Sequence, residues 1–222
     1  MDVKAFLEDR LKFIRKFYET AAAPFIATIE KIEAGEAPFE PPYSEDGEPA
    51  FLSEWIDSQT SLDMLGRACV SMLAASLKLY FQTWENKLCI KWDSGERQKT
   101  FKNGILHGYK HCFSEALSLN WDECPADFDV LEQVILARNR VQHPETITKM
   151  GVDHAPADRK KHPSLFFATE WERSVFLDGD LAGITWLNPA VSVSKESLWQ
   201  ALGEVEKLVE WLETRILNRL YR

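Results

Sequence analysis

The feature that most constrains the fold is a long stretch of helical periodicity from Ser61 to about Leu88. Apolar residues recur there at spacings of three and four, which gives the broad apolar stripe typical of a central helix in a bundle. A chain of 222 residues that is 45% hydrophobic can bury one core without dividing into two domains. We therefore expect a single helical domain over residues 1–222.

Four further segments carry helical signals. They are residues 2–33, residues 104–119, residues 126–143, and a last helix that Ser194 caps and that runs to Leu220. In the first of these, Asp2 is the candidate cap and Pro24 is the position where the helix is expected to end or kink. About five helices with short connections predict an all-α fold, an antiparallel helical bundle.

The remaining segments of the sequence are polar or lack a regular apolar pattern. Residues 34–50 form an acidic, proline-rich loop, and residues 92–103 form a polar loop. Residues 144–193 are expected to be an insertion with a small β-hairpin near 164–187. Its strands would be SLFFAT and AGITWL, and its turn would be Asp178 to Asp180.

Composition limits the setting of the protein. Uninterrupted apolar runs of ~18–20 residues are not found, and the N-terminus lacks the apolar core of a secretory signal, so we expect a cytoplasmic protein with no membrane partner. The four cysteines are expected to be buried thiols. The net charge of −9 argues against a nucleic-acid partner, but six Lys and Arg lie between residues 86 and 112. They form either a positive face or solvated loops.

The candidate chemistry lies in VLEQVILARNRVQHPE, Val130 to Glu145. At about 100° per residue, Arg138 falls near the centre of the apolar stripe that contains Leu131 and Val134. A guanidinium stays charged and is costly to bury alone, so Arg138 must meet an acid, a subunit interface or an anionic ligand.

His143 precedes Pro144, which disfavours the α conformation, so the helix should end at about Gln142 or His143. The imidazole could then approach a group that Arg138 also faces. The partial negative charge at a helix C-terminus favours a proton on this ring. Asn139, between the two, supplies a neutral donor and acceptor.

The segment RNRVQH at 138–143 resembles the Arg-x4-His motif of HEPN ribonucleases, in the form in which a polar residue follows the arginine. The resemblance extends loosely from Ser61 to Leu220. It implies a HEPN-like bundle that dimerises, brings two motifs into one cleft and cleaves RNA without a metal or other cofactor. His143 would be the general acid or base, Arg138 would hold the scissile phosphate, and Asn139 would position one of them.

Further contacts with the RNA would come from Arg140, Lys110 and His111. The resemblance also implies a toxin–antitoxin or anti-phage setting, with an antitoxin or inhibitor protein as a possible partner. The branch of the family that pairs with a nucleotidyltransferase antitoxin continues His-x-Tyr, whereas this chain has Glu145 at that position, so that mode of control is not expected.

Two alternatives stay open. A catalytically inactive HEPN module could bind RNA, a nucleotide or a protein through the same cleft. A structural bundle could instead pair Arg138 with a buried acid such as Asp63 or Glu204. His107 and His111 have a spacing that zinc can use, but the glutamate of a zinc-hydrolase motif does not accompany them, which favours a surface or core pair.

Overall fold

The computed structural model describes residues 2–42, 49–93, 95–144, 146–177 and 188–221. Within these ranges the chain forms eight α-helices, and the only β-pairing is an isolated bridge between Asp153 and Ala190. The helices are α1 Val3–Ala34, α2 Leu52–Lys87, α3 Glu96–Thr100, α4 Ile105–Leu117, α5 Phe128–Gln142, α6 Pro156–Lys161, α7 Glu170–Leu177 and α8 Lys195–Leu220. The all-α class is confirmed for the described residues, but the expected count of about five helices is wrong. The short helices α3, α6 and α7 lie in the segments predicted as a polar loop and as an insertion.

The first helix begins where the sequence predicts, because the Asp2 carboxylate accepts a hydrogen bond from the amide of Ala5 at 3.0 Å. It ends at Gly35, whose φ of 64° lies in the left-handed region that glycine adopts without strain. Pro24, where the helix is expected to end or kink, does not end it, since α1 continues for ten residues beyond it to Ala34.

The first two helices form an antiparallel hairpin. The indole of Trp55, near the start of α2, donates to Glu33, near the end of α1, at 3.0 Å. α2 then packs against α5 and α8, and it buries Leu73, Leu77 and Phe81 almost completely. Among the described residues, α2 alone is long and apolar enough to span a membrane, and most of its apolar window is buried inside the bundle.

The expected β-hairpin is wrong for its first strand, because residues 164–169 form no strand. Residues 164–169 form bends, and the helix α7 follows, whereas the predicted turn and second strand lie outside the described residues. The Gln133 side chain, from α5, donates to the carbonyl of Ser164 at 3.0 Å and accepts from the amide of Phe166 at 2.8 Å. A side chain therefore satisfies the backbone that a second strand would have paired.

Candidate functional site

The motif helix α5 is fixed at its first turn and along one face. Asp127 caps it, accepting from the amide of Asp129 at 2.9 Å, and its own amide donates to Glu204 of α8 at 2.7 Å. The buried face carries Val130, Leu131, Val134 and Ala137. The helix ends at Gln142, as the following proline predicts, and His143 leaves it with φ −129° and ψ 64°.

Arg138 lies half-buried at the edge of this apolar face. Its Nη1 donates to the Asn139 side chain at 3.0 Å, and among the described residues it forms no ion pair. The two acids considered as its partners lie elsewhere: Asp63 accepts from Gln59, and Glu204 accepts from the amide of Asp127 and pairs with Lys207. The structural explanation of Arg138 as a member of either ion pair is therefore not supported.

His143 is exposed and lines a small polar cavity of about 90 Å³ at the end of α5. The polar side chains around it are those of Arg140, Thr146, Lys149, Asp153, His154 and Asn188. Arg138 is not among the residues that line it. An α-helix turns about 140° over five residues, so Arg138 starts on a different face, whereas Arg140 is three residues from His143 and shares its side.

The two cations that line the cavity, Arg140 and Lys149, are both paired with carboxylates. Arg140 Nε donates to Asp158 at 3.2 Å, and the Lys149 ammonium contacts both carboxylate oxygens of Asp153 at 2.6 and 2.8 Å. The cavity therefore holds a balanced set of charges around the imidazole of His143.

A second histidine in the same wall, His154, was not singled out from the sequence. It is 6% exposed, and its Nε2 lies 2.8 Å from the carbonyl of Phe167. A carbonyl only accepts, so Nε2 carries the proton and Nδ1 is the acceptor of the ring. Burial lowers the pKa of His154, which keeps the ring neutral. The chain gives no spacing signal that connects it with His143, because an irregular loop separates the two.

The other residues expected to contact RNA are not brought to this cavity. The Lys110 ammonium lies 3.9 Å from the ring centroid of Phe128, which opens α5. His143 follows fifteen residues later, about 22 Å along the helix axis. His111 pairs with Glu115 at 3.5 Å on the exposed side of α4. Lys110 and His111 therefore belong to the opposite end of the motif helix.

The described residues contain no group of three or more His, Cys, Asp or Glu that could hold a metal ion. All four cysteines are free thiols, and Cys69 and Cys112 are buried as expected, whereas Cys89 is exposed. Burial raises the pKa of Cys69 to about 11 and that of Cys112 to about 12. Neither buried thiol is a thiolate near neutral pH, so neither is a ready nucleophile.

Comparison of the chain with protein-family models, curated proteins and solved structures finds no match. A functional assignment therefore depends on the residues and geometry of this chain.

Proposed function

We propose that the protein is a metal-independent endoribonuclease that uses Arg138, Asn139 and His143, at the end of α5. The observation that carries the proposal is the state of Arg138. A guanidinium has five N–H donors, and within the part of the chain that the structure describes, Arg138 uses one of them, on the neutral Asn139 side chain. A half-buried cation with unused donors is suited to a phosphate, which accepts two of them at once.

Arg138 and His143 lie on different sides of the end of α5, so the scissile phosphodiester must lie across the helix end to reach both. Each side chain then has its own role. His143 takes the proton of a ribose 2′-hydroxyl, and the oxygen of that hydroxyl attacks the adjacent phosphorus. The bond from phosphorus to the 5′-oxygen breaks, and this oxygen takes a proton from water. The products are a 2′,3′-cyclic phosphate and a 5′-hydroxyl. Arg138 offsets the negative charge that develops on the phosphoryl oxygens. DNA lacks the nucleophile and should be resistant.

The setting is part of the same proposal and is supported only by the resemblance to HEPN ribonucleases. It comprises an RNA substrate, a cytoplasmic location, and an antitoxin or inhibitor protein in a toxin–antitoxin or anti-phage defence system.

A second candidate function, an inactive module that binds RNA, a nucleotide or a protein, has its own support. Asp158 and Asp153 neutralise Arg140 and Lys149, and the whole chain carries a net charge of −9. Both features weaken attraction for a polyanion. Among the partners of this second candidate, these features therefore favour a protein over RNA or a nucleotide.

The test is cleavage of end-labelled single-stranded RNA by purified protein in EDTA. His143→Ala should lower the rate at least about 100-fold, because general acid–base catalysis is worth about that much. His107→Ala, which removes an exposed histidine from α4, is the matched control and should cleave at the wild-type rate. Arg138→Gln should also lose activity. A substrate with one 2′-deoxyribose should survive at that linkage and yield cyclic phosphate elsewhere.

The nuclease proposal fails if wild type and His143→Ala leave the RNA equally intact over the pH range in which both stay folded. Retained binding of RNA by both proteins would then favour the inactive module.

A further inference from the structure

A line of exposed phenylalanines runs along α1, remote from the motif helix. Phe6, Phe13 and Phe17 are 61%, 58% and 39% exposed. On a helical wheel they fall within about 40° of one another. The rings of Phe13 and Phe17 stack with their centroids 6.1 Å apart. Isolated apolar residues on a surface are ordinary, but three aromatic rings in one line leave roughly 300 Å² of contiguous apolar surface in water.

This phenylalanine line points away from α8. Arg15 donates to Glu206 of α8 at 2.8 and 3.0 Å, and Lys4 pairs with Glu210 of the same helix. These two cations lie about 160–180° around α1 from Phe13.

The exposed side of α2 also carries apolar residues. Met64, Ala68, Ala75 and Leu79 are exposed and fall within about 60° on the wheel of that helix. Because α2 packs against α1, both helices of this hairpin expose apolar side chains.

The charges beside the phenylalanine line indicate which kind of partner can bind it. Asp9 and Lys16, seven residues apart, lie on one flank, about 40–60° from Phe13. Asp9 also contacts Lys12 of its own helix at 3.7 Å, but both side chains are exposed, and such a pair contributes little. In an antiparallel helix pair related by a two-fold axis, the same flank of each helix faces the other. A register that sets Phe6 opposite Phe17 of a second copy brings Asp9 within two residues, about 3 Å along the axis, of Lys16 of that copy. The line is therefore complementary to itself.

We propose that a second copy of this chain packs on the phenylalanine line of α1, antiparallel and about a two-fold axis. Phe6 and Phe17 of the two copies meet at both ends of the contact. Asp9 and Lys16 form reciprocal ion pairs, and Arg10 lies opposite the ring of Phe13, where a guanidinium packs favourably. The three rings supply less than half of the about 800 Å² per partner of a standard interface, so we expect a dimer that dissociates in the micromolar range.

A second copy fits the charge pattern better than an anionic membrane does. The flank of the line carries both signs, which two copies can pair reciprocally, whereas an anionic lipid surface attracts only Lys and Arg. Residues of α1 do not line the cavity that contains His143. The proposed dimer is therefore independent of the proposed nuclease, and each can fail without the other.

The first test measures the molar mass of the full chain by analytical ultracentrifugation from about 1 to about 200 µM, a range that brackets the expected dissociation constant. The wild type should shift from monomer to dimer, and Phe13→Glu should remain monomeric. Trp171→Glu removes an aromatic side chain that is 65% exposed on α7, and this control should dimerise like the wild type. A monomeric wild type at every concentration, or a Phe13→Glu dimer, overturns the proposal.

The second test is a charge swap that establishes the register. Asp9→Lys and Lys16→Asp should each weaken the dimer several-fold, because each places like charges opposite one another. The double variant Asp9→Lys/Lys16→Asp restores both opposite-charge pairs and should recover most of the wild-type affinity. A double variant as weak as the single variants overturns the antiparallel register. Phe13-dependent binding to anionic vesicles by a monomeric protein would replace the dimer with a membrane contact.

Discussion

Replacing Glu85 with alanine should lower the free energy of unfolding by about 2–5 kcal/mol, since this carboxylate holds three separate parts of the bundle together. Glu85 is 8% exposed, on the last turn of α2. It accepts from the indole of Trp92 at 2.7 Å, from Nε and Nη2 of Arg97 at 3.1 and 3.2 Å, and from the hydroxyl of Tyr109 at 3.0 Å.

The magnitude depends on which donors can reach water once the carboxylate is gone. The hydroxyl of Tyr109 is buried and would lose its acceptor, at a cost of about 1–3 kcal/mol. The half-buried indole of Trp92 adds about 1 kcal/mol. The Arg97 side chain is 45% exposed, so water replaces most of its interaction, and it adds less than about 1 kcal/mol.

Urea denaturation followed by far-UV circular dichroism measures the loss. Glu85→Gln keeps the shape and an acceptor but not the charge, and it should cost about 1–2 kcal/mol. Glu115→Ala, at an exposed site on α4, should change stability by less than about 0.5 kcal/mol. Unfolding of Glu85→Ala and Glu115→Ala at the same urea concentration would refute this role of Glu85.

The same carboxylate gives a pH dependence with a definite sign. Burial raises the pKa of Glu85, but the hydrogen bonds from Arg97, Trp92 and Tyr109 outweigh burial and leave the pKa below the usual 4.5. A carboxyl with a lowered folded pKa stabilises the protein above its unfolded pKa, and this contribution is lost as the pH falls through the folded value. The stability difference between wild type and Glu85→Gln should therefore shrink in acid.

Two further predictions concern glycine packing and a buried histidine. A Cβ added at Gly66 would lie 2.3 Å from the backbone oxygen of Val193, so Gly66→Ala should cost at least about 2 kcal/mol in urea denaturation. Gly203→Ala meets no described atom within 4 Å and should stabilise α8 by up to about 1 kcal/mol; equal effects of the two variants would contradict this packing. Burial lowers the pKa of His154, so the unfolded chain takes up a proton near pH 6.5 that the folded chain resists, and stability should fall as the pH drops through that value. His154→Gln should reduce that fall in thermal melts, and an unchanged pH profile would contradict it.

The first residues of α1 and α8 were predictable because a local hydrogen bond determines where each helix begins. Asp2 and Ser194 each accept from a backbone amide three residues ahead, so the signal lies within four residues of sequence. The start of α2 was placed nine residues late, because residues 52–60 are mostly polar and lack the apolar stripe on which the prediction depended.

The region predicted as a hairpin shows why composition misleads. Leu165 and Phe167 suggest a strand, yet both are buried side chains in an irregular segment, and neither belongs to a strand. The signal for α7 was present and local: Thr169 and Glu172 form a capping box, in which the Glu172 amide donates to the Thr169 hydroxyl at 3.1 Å and the Glu172 carboxylate accepts from the Thr169 amide at 2.9 Å.

Only the part of the candidate site that lies at the end of α5 was predictable from the sequence. Pro144 determines where α5 ends, and this brings His143 out of the helix as expected. The wall that faces His143 comes instead from non-local pairing, in which the amide of His154 donates to the carbonyl of Pro189 at 3.0 Å and that of Val191 to Val152 at 2.8 Å. Residue spacing does not encode such contacts, so the sequence analysis singles out His143 as a candidate but not His154.

The surroundings of Arg138 support the proposed binding of a phosphate. The chain has 35 acidic and 26 basic residues, so carboxylates are in surplus. Other arginines use that surplus: Arg15 pairs with Glu206, and Arg215 with Glu123. Among the described residues, the half-buried Arg138 contacts only a neutral amide. A shortage of acids does not explain this. Because Arg138 forms no ion pair with any described residue, Arg138→Gln should unfold within about 0.5 kcal/mol of the wild type while RNA cleavage is lost. Loss of stability with unchanged cleavage would instead assign Arg138 to the fold.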